Sequence, residues 1–278
     1  MEEKLIHLGC MIYNRFPDYE ISAKAVLGAI GIKTKDMHNF ACCSSTIVPS
    51  FSDEWIYLAS YNLALAEKEG LNIVTLCGTC TATFKRANYE LVRNESLLKK
   101  VNSRLEEVGL SYSGKTEVKH ILEVLVEKLD ELKAVIKNRL DLRVALQHPC
   151  NVFRPDYIAE FDNPLEPEAM RKILRLTGVE IVDYHEEYQC CGSTITMVDE
   201  SLGARAGAEK LISANKAGAK FICVACGNCA FLFDKKLDEI KKLEPEVNIK
   251  TIFITQILAL ALGIENKAAL DIRGVEVE

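Results

Sequence analysis

Ten of the eleven cysteines in this sequence fall into two sets with one internal order: a single Cys, an adjacent Cys-Cys, then Cys-x-x-Cys. The first set is Cys10, Cys42, Cys43, Cys77 and Cys80; the second is Cys150, Cys190, Cys191, Cys226 and Cys229. Intervening residues number 31 and 33 in the first set and 39 and 34 in the second, so the two differ mainly by one loop insertion. In a reducing compartment disulfides are rare, and cysteines in such numbers point to metal ligation. A structural zinc takes four tetrahedral ligands, typically from two Cys-x-x-Cys pairs, so five thiolates with two adjacent fit it poorly. Adjacent side chains diverge in an extended segment and do not readily reach one small ion, whereas a multi-iron cluster offers separate corners. A thioredoxin-like dithiol needs no companion cysteines and leaves most of the pattern unexplained. Cys223, the eleventh, has no counterpart in the first half, where Val74 stands in its place. It reads as core packing.

The cysteines are carried by a duplicated chain. Leu5 to Cys10, then Asn14-Arg15-Phe16-Pro17-Asp18-Tyr19, answers to Val144 to Cys150, then Phe153-Arg154-Pro155-Asp156-Tyr157. Ala66 to Gly70, then Ile73-Val74, answers to Asn215 to Gly218, then Phe221-Ile222. Short apolar runs (5–8 and 73–76; 144–147 and 221–224) alternate with amphipathic helical stretches (22–30 and 55–68; 168–176 and 203–217). That alternation predicts βαβ units around a parallel sheet. Gly70 and Gly218 stand where a helix C-cap releases the chain into the next strand. Each cysteine pair then follows a strand or opens a helix, at the carboxyl ends of parallel strands where open α/β sheets place their sites. The expected fold is α/β: two pseudo-twofold-related Rossmann-like domains, each with a small, mostly parallel sheet. Residues 1–141 form the first, closed by a charged helical connector over 95–138. Residues 142–278 form the second and end in a tail from Glu265 that packs on a neighbour or stays loose.

A chain of 278 residues with 49% apolar side chains can bury a normal core without staples. The net charge of −6, with no Lys/Arg block longer than two residues, offers no footprint for nucleic acid or anionic lipid. The longest apolar stretches, such as 252–263, fall short of the ~20 residues of a membrane span. Met1-Glu2-Glu3-Lys4 leads into a strand rather than a signal peptide, so the expected location is the cytoplasm. No G-x-G-x-x-G and no Walker motif is present, so electrons for any redox chemistry come from a partner.

Leu8-Gly9-Cys10, Asn14-Arg15-Phe16-Pro17, Cys42-Cys43, Val74 to Cys80, Val118-Lys119-His120, Cys190-Cys191-Gly192 and Cys226-x-x-Cys229 together resemble the B subunit of heterodisulfide reductase, built from duplicated cysteine-rich CCG domains. The resemblance covers essentially the whole chain. It implies that each five-cysteine set holds a noncubane 4Fe-4S cluster, and all ten ligand positions are filled. It implies a catalytic subunit that reduces the coenzyme M–coenzyme B disulfide to two thiols by one-electron steps, with the disulfide between the clusters. It further implies a ferredoxin-like iron–sulfur partner and, beyond it, a flavin-containing, electron-bifurcating subunit.

His148, two residues before Cys150, is the candidate proton source for the departing thiolates, beside a purely structural role. Arg15 and Arg154, a few residues after Cys10 and Cys150, are candidates for binding anionic substrate groups or for balancing cluster charge. His38 and His185 match across the repeat and read as structural; His120 lies in the connector, far from any cysteine. The family commonly has prolines after the first Cys-Cys, a glycine-rich run after Cys-Cys-Gly, and His after the first and last cysteines of the second set. Here those places hold Ser44-Ser45-Thr46, Ser193 to Thr196, Asn151 and Ala230. The departures leave room for a paralogue that handles another disulfide or passes electrons to a quinone or other acceptor. An electron relay between subunits and a structural zinc protein remain the competing classes.

Overall fold

Two four-stranded sheets, one per half and parallel throughout, carry the cysteines. The structure is a computed structural model and describes residues 2–37, 39–44, 52–243, 245 and 247–274. Strands β1 (Glu2–His7), β2 (Ile32–Asp36), β3 (Ile73–Thr75) and β4 (Val118–His120) lie in the order β2-β1-β3-β4. Strands β5 (Arg143–Gln147), β6 (Glu180–Ile181), β7 (Phe221–Val224) and β8 (Lys250–Phe253) repeat it as β6-β5-β7-β8. Leu5 pairs with Ile73, and Ile73 with Val118; Val144 pairs with Phe221, and Phe221 with Lys250. Strands β3 and β7 are buried along their length and β1 and β5 from Lys4 and Val144 onward, as the apolar runs of a sheet covered on both faces require.

Helices α1 (Gly9–Arg15) and α2 (Pro17–Ala29) link β1 to β2, and α3 (Trp55–Glu69) leads into β3. Helices α4 (Gly78–Arg93) and α5 (Glu95–Leu105) precede β4, and α6 (Ile121–Glu127) and α7 (Leu129–Val135) follow it. In the second half come α8 (Cys150–Phe153), α9 (Asp156–Ala159), α10 (Ala169–Arg175), α11 (Glu200–Lys216), α12 (Gly227–Leu243) and α13 (Ile254–Ala261). Pro17 opens α2 at the position where its missing N–H costs nothing. Gly70 ends α3 in the left-handed conformation, φ 67°, which frees the chain for β3. Among the described residues no helix is long and apolar enough to cross a membrane.

Two sequence expectations change. The connector is not wholly helical: Val118–His120 forms β4 and completes the first sheet. The last turns do not hang loose: over Glu265–Lys267 and Leu270–Arg273 the chain packs back on its own α2, with Ala268 fully buried and its carbonyl accepting from Gln256 Nε2 at 2.9 Å.

The halves interlock along α2 and α13. Tyr19 stacks on Phe253 at 4.0 Å between ring centroids and donates its hydroxyl to the Ala225 carbonyl at 3.2 Å. Ser22 and Thr255 share a 2.7 Å hydrogen bond, and Gln256 Nε2 donates to Asp18 Oδ2 at 3.1 Å. The glycine of each Cys-x-x-Cys faces the first-cysteine helix of the opposite half. A Cβ on Gly78 would lie 3.2 Å from Val152 Cγ2, and one on Gly227 2.8 Å from Ile12 Cδ1. Beside Gly78, buried Thr79 Oγ1 accepts from Asn228 Nδ2 at 2.8 Å and Asn151 Nδ2 at 3.3 Å. Thr79→Val should strip both amides of this acceptor and lower stability by about 1–3 kcal/mol, seen as a lower urea midpoint. An unchanged midpoint would mean that the amides find other acceptors.

Candidate metal centre

The strand-to-helix crossings deliver the ten cysteines to the carboxyl ends of the two sheets. Cys10 lies in the first turn of α1 after β1; Cys77 caps α4 after β3, with Cys80 in its first turn. Cys150 opens α8 after β5, and Cys226 stands just ahead of α12, with Cys229 in its first turn. Cys42-Cys43 and Cys190-Cys191 sit in the loops beyond β2 and β6. In the first set Cys10 and Cys42 are exposed; in the second, every sulfur-bearing residue is at least partly buried.

The sulfurs form one string. Thiol contacts run Cys10, Cys42, Cys43, Cys80, Cys77 in the first half and Cys150, Cys190, Cys191, Cys229, Cys226 in the second. The two inner ends meet, with Cys77 Sγ and Cys226 Sγ 3.8 Å apart. Hydrogen bonds from Cys10 and Cys43 hold the Cys42 thiol down to about 2, and those from Cys150 and Cys191 do the same for Cys190. Cys226 is likewise held well below the usual thiol range by Cys229 and Cys77. The thiols of Cys10, Cys77, Cys150, Cys191 and Cys229 are pushed up in turn. Backbone amides add support: Gly192 N–H donates to Cys190 Sγ and Ser193 N–H to Cys191 Sγ, each at 3.4 Å. Gly9 is needed for close approach, because it sits at φ 67° and a Cβ there would be 2.9 Å from Cys80 Sγ.

This donor set fits an iron–sulfur cluster. Thiolates are the ligands such clusters take, and five of them in a line serve several metal corners. Among the described residues no three Cys, His, Asp or Glu side chains converge on a single ion position.

A cavity of about 370 Å³ opens beside the first set, lined by His7, Gly9, Cys10, Tyr13, Phe40 and Cys42. A narrow crevice at the interface is lined by all five cysteines of the second set and borders on Gly78 and Thr79 of the first half. A third cavity of about 160 Å³, also between the halves, holds Lys85, Arg86 and Arg154 and shares Asn151 with that crevice.

His148 is buried, its Nε2 3.0 Å from Glu187 Oε1 and its ring stacked on Tyr188 at 5.5 Å; its Nδ1 has no hydrogen-bond partner among the described residues. Arg171 donates to both oxygens of Glu187, at 2.8 and 2.6 Å. Arg154 is exposed and donates to the Pro164 carbonyl at 2.6 Å. Arg15 is exposed at the end of α1, its guanidinium 5.5 Å from the Phe231 ring centroid. Cys223 is fully buried on β7, and burial pushes its thiol up. His185 is exposed, and His38 lies outside the described residues. Asn151 and Ser193 border on the crevice, Ala230 is buried, and Ser44 takes φ 71° right after Cys43.

Sequence spacing missed three residues that the topology brings in. His7 ends β1 beside Cys42, and burial lowers it to about 4. His120, placed by β4, is buried against the backbone of Leu76 and Ala225, the residues before Cys77 and Cys226, and burial lowers it to about 4. Lys210 of α11 lies buried behind Cys190-Cys191. For His7 alone a sequence signal existed, since it stands three residues before Cys10.

Comparison with known proteins agrees with this geometry. The model of the CCG cysteine-rich domain matches twice, over residues 5–85 and 144–234. The chain is 32% identical over 269 residues to the B subunit of the Ferredoxin/F(420)H(2)-dependent CoB-CoM heterodisulfide reductase of Methanosarcina acetivorans, covering 92% of this chain and 87% of that one. It is 28% identical over 262 residues to the 8-methylmenaquinol:fumarate reductase membrane anchor subunit of Wolinella succinogenes, covering 93% and 92%. A hypothetical protein from Helicobacter pylori shares the fold at TM-score 0.78 and 18% identity, over 97% of this chain and 51% of that one. With two copies of the cysteine-rich domain and a relative of this similarity along nearly its whole length, the chain belongs to the family of heterodisulfide reductase B subunits.

Proposed function

We propose that the chain is the catalytic subunit of a heterodisulfide reductase complex and that its two cysteine sets hold two noncubane 4Fe-4S clusters. The observation that carries this reading is the ten-sulfur string with its 3.8 Å step between Cys77 and Cys226, which brings both donor sets to one interface. Cys10, Cys42, Cys43, Cys77 and Cys80 hold the first group; Cys150, Cys190, Cys191, Cys226 and Cys229 hold the second. When bound, such clusters supply electrons one at a time and iron with affinity for sulfur. The substrate is the coenzyme M–coenzyme B disulfide. Two electrons and two protons turn its S–S bond into two S–H bonds, so a pair of one-electron centres matches the stoichiometry.

The other residues orient and protonate. His148 is the proton donor in this reading: Glu187 holds its Nε2, Arg171 holds Glu187, and Nδ1, two residues from Cys150, has no hydrogen-bond partner among the described residues. Arg154, with Arg86 and Lys85 around the cavity that shares Asn151 with the sulfur crevice, suits an anionic group of the substrate. Arg15, one turn beyond Cys10, takes that part for the first set. Electrons come from a ferredoxin-like iron–sulfur subunit, with a flavin-containing bifurcating subunit behind it, in a cytoplasmic complex.

A second reading has a specific observation behind it. The Wolinella relative is named for a menaquinol-linked reductase, and Ser44, Ser193, Asn151 and Ala230 depart from the disulfide-reducing pattern around the sulfurs. In that case the chain passes electrons between a quinone, or another acceptor, and its partners. The test is anaerobic: count iron and sulfide in the purified complex, then titrate the reduced protein with coenzyme M–coenzyme B disulfide while recording EPR spectra. About eight irons per chain and a signal that appears only with the disulfide are expected. The same iron with a response to a quinone instead would move the assignment to the second reading, and one or two zinc ions would overturn both.

A further inference from the structure

One buried cation has no part in the chemistry above. Lys210, in α11, is 1% exposed. Its ammonium donates to three backbone carbonyls, those of Glu186, Glu187 at 3.3 Å and Gln189 at 2.9 Å, and lies 5.4 Å from the Tyr184 ring centroid. Gln189 is the residue before Cys190-Cys191, so the charge is tied to the segment that delivers two sulfurs of the second set. All three hydrogen bonds end on carbonyls rather than on a carboxylate. A buried ammonium held this way carries a desolvation cost that nearby negative charge offsets. Burial pulls Lys210 down to about 8, and Cys191, Cys229, Cys190 and Glu186 act in the opposite direction.

The duplication provides a built-in comparison. From residue 41 to residue 73 the first half matches the second at a constant offset of 148 positions, pairing Ala41 with Gln189, Cys42 with Cys190 and Gly70 with Gly218. The same offset pairs Asn62 with Lys210. Asn62 is also fully buried and reaches the same place: its Oδ1 accepts from the Ala41 N–H at 2.8 Å. Two equivalent side chains therefore hold two equivalent Cys-Cys segments, one through an amide that carries no charge and one through a cation.

We propose that Lys210 is a positioning residue that sets the second metal centre at a higher reduction potential than the first, by holding a positive charge beside Cys190-Cys191 where Asn62 offers none beside Cys42-Cys43. Reduction adds negative charge to a centre, and a neighbouring cation stabilises that added charge strongly in a poorly solvated site. Electrons entering singly then settle first at the second set, whose five cysteines all line the interface crevice. An otherwise symmetric scaffold thereby acquires an order for its two one-electron steps.

The inference rests on the iron–sulfur reading, and iron analysis of the unaltered complex tests that reading separately: a complex without cluster iron fails it before any variant is made. The inference itself is tested by EPR-monitored redox titration of the intact complex carrying Lys210→Gln or Lys210→Arg. Gln keeps hydrogen-bond donors for the carbonyls but loses the charge; Arg keeps the charge. With iron content unchanged, Lys210→Gln should move one of the two cluster potentials down by at least ~59 mV, a tenfold change in a one-electron equilibrium, and leave the other in place. Lys210→Arg should titrate as the unaltered chain does. The proposal is overturned by a fully loaded Lys210→Gln complex with both potentials unchanged or shifted alike, or by Lys210→Arg moving as Gln does. It is equally overturned if Lys210→Gln no longer loads its second cluster, since the lysine is then a clamp on the loop and nothing more.

Discussion

Cys190→Ala should cut the iron content from about eight to about four per chain and abolish disulfide reduction, while the rest of the molecule stays folded. Cys190 is the second sulfur of its string, between Cys150 and Cys191, and their hydrogen bonds together with the Gly192 N–H hold it as a thiolate. It is only partly buried, so truncation leaves a small gap at the surface of the loop rather than a cavity in the core. The loss is therefore one of ligation, not of folding. A two-electron reaction that needs both centres stops when either is missing. Cys42→Ala is the matching variant in the first half, where Cys42 has the same neighbours in the string. Iron analysis with a turnover assay reads both. Full iron and full turnover in either variant would remove that cysteine from the ligand set.

The largest loss of stability is expected at Gly192. Its φ of 96° lies in the region that side chains rarely adopt, and a Cβ there would stand 2.5 Å from the Gly203 carbonyl oxygen and 3.0 Å from Ala206 Cβ. The neighbour at fault is backbone of α11, which cannot swing aside as a flexible side chain does. Strain and overpacking together put Gly192→Ala at about 3–5 kcal/mol, a large fraction of what a domain has in reserve. Because the Gly192 N–H also serves Cys190, the second metal centre should be lost with it, and the first retained. Denaturant unfolding with iron counting checks both parts; a midpoint within error of the unaltered chain would mean that the loop and α11 can separate without cost.

The cysteine sets, the paired sheets and the helices between them were legible because each leaves a local mark: spacing for the first, unbroken apolar runs for the second, helical period and a closing glycine for the third. The constant offset of 148 between 41–73 and its repeat even places Ser44 opposite Gly192, and both adopt positive φ. Strand β4 left no such mark. It is three residues long, with the charged Lys119 at its centre and Glu117 just ahead of it, so a connector that is helical on either side hid it. His120 was misplaced for the same reason: only pairing of β4 with β3 carries it to the sulfurs. Lys210 was illegible in a different way. On a helix rich in polar residues a lysine reads as solvated, and what buries it is a loop some twenty residues earlier in the chain folding over it. Arg15 and Arg154 were chosen by nearness in sequence to Cys10 and Cys150; both are exposed, and Arg154 lines the cavity that shares Asn151 with the sulfur crevice.

The interlock of the halves bears on how the protein is made. Tyr19 waits for Ala225 and Phe253, Asp18 for Gln256, and the gap over Gly78 for Pro149 and Val152. A nascent chain leaving the ribosome thus carries an unfinished first half until residues 225–256 have followed it out. The string of sulfurs begun by the first five cysteines is thus joined to the second only when Cys226 arrives to stand against Cys77.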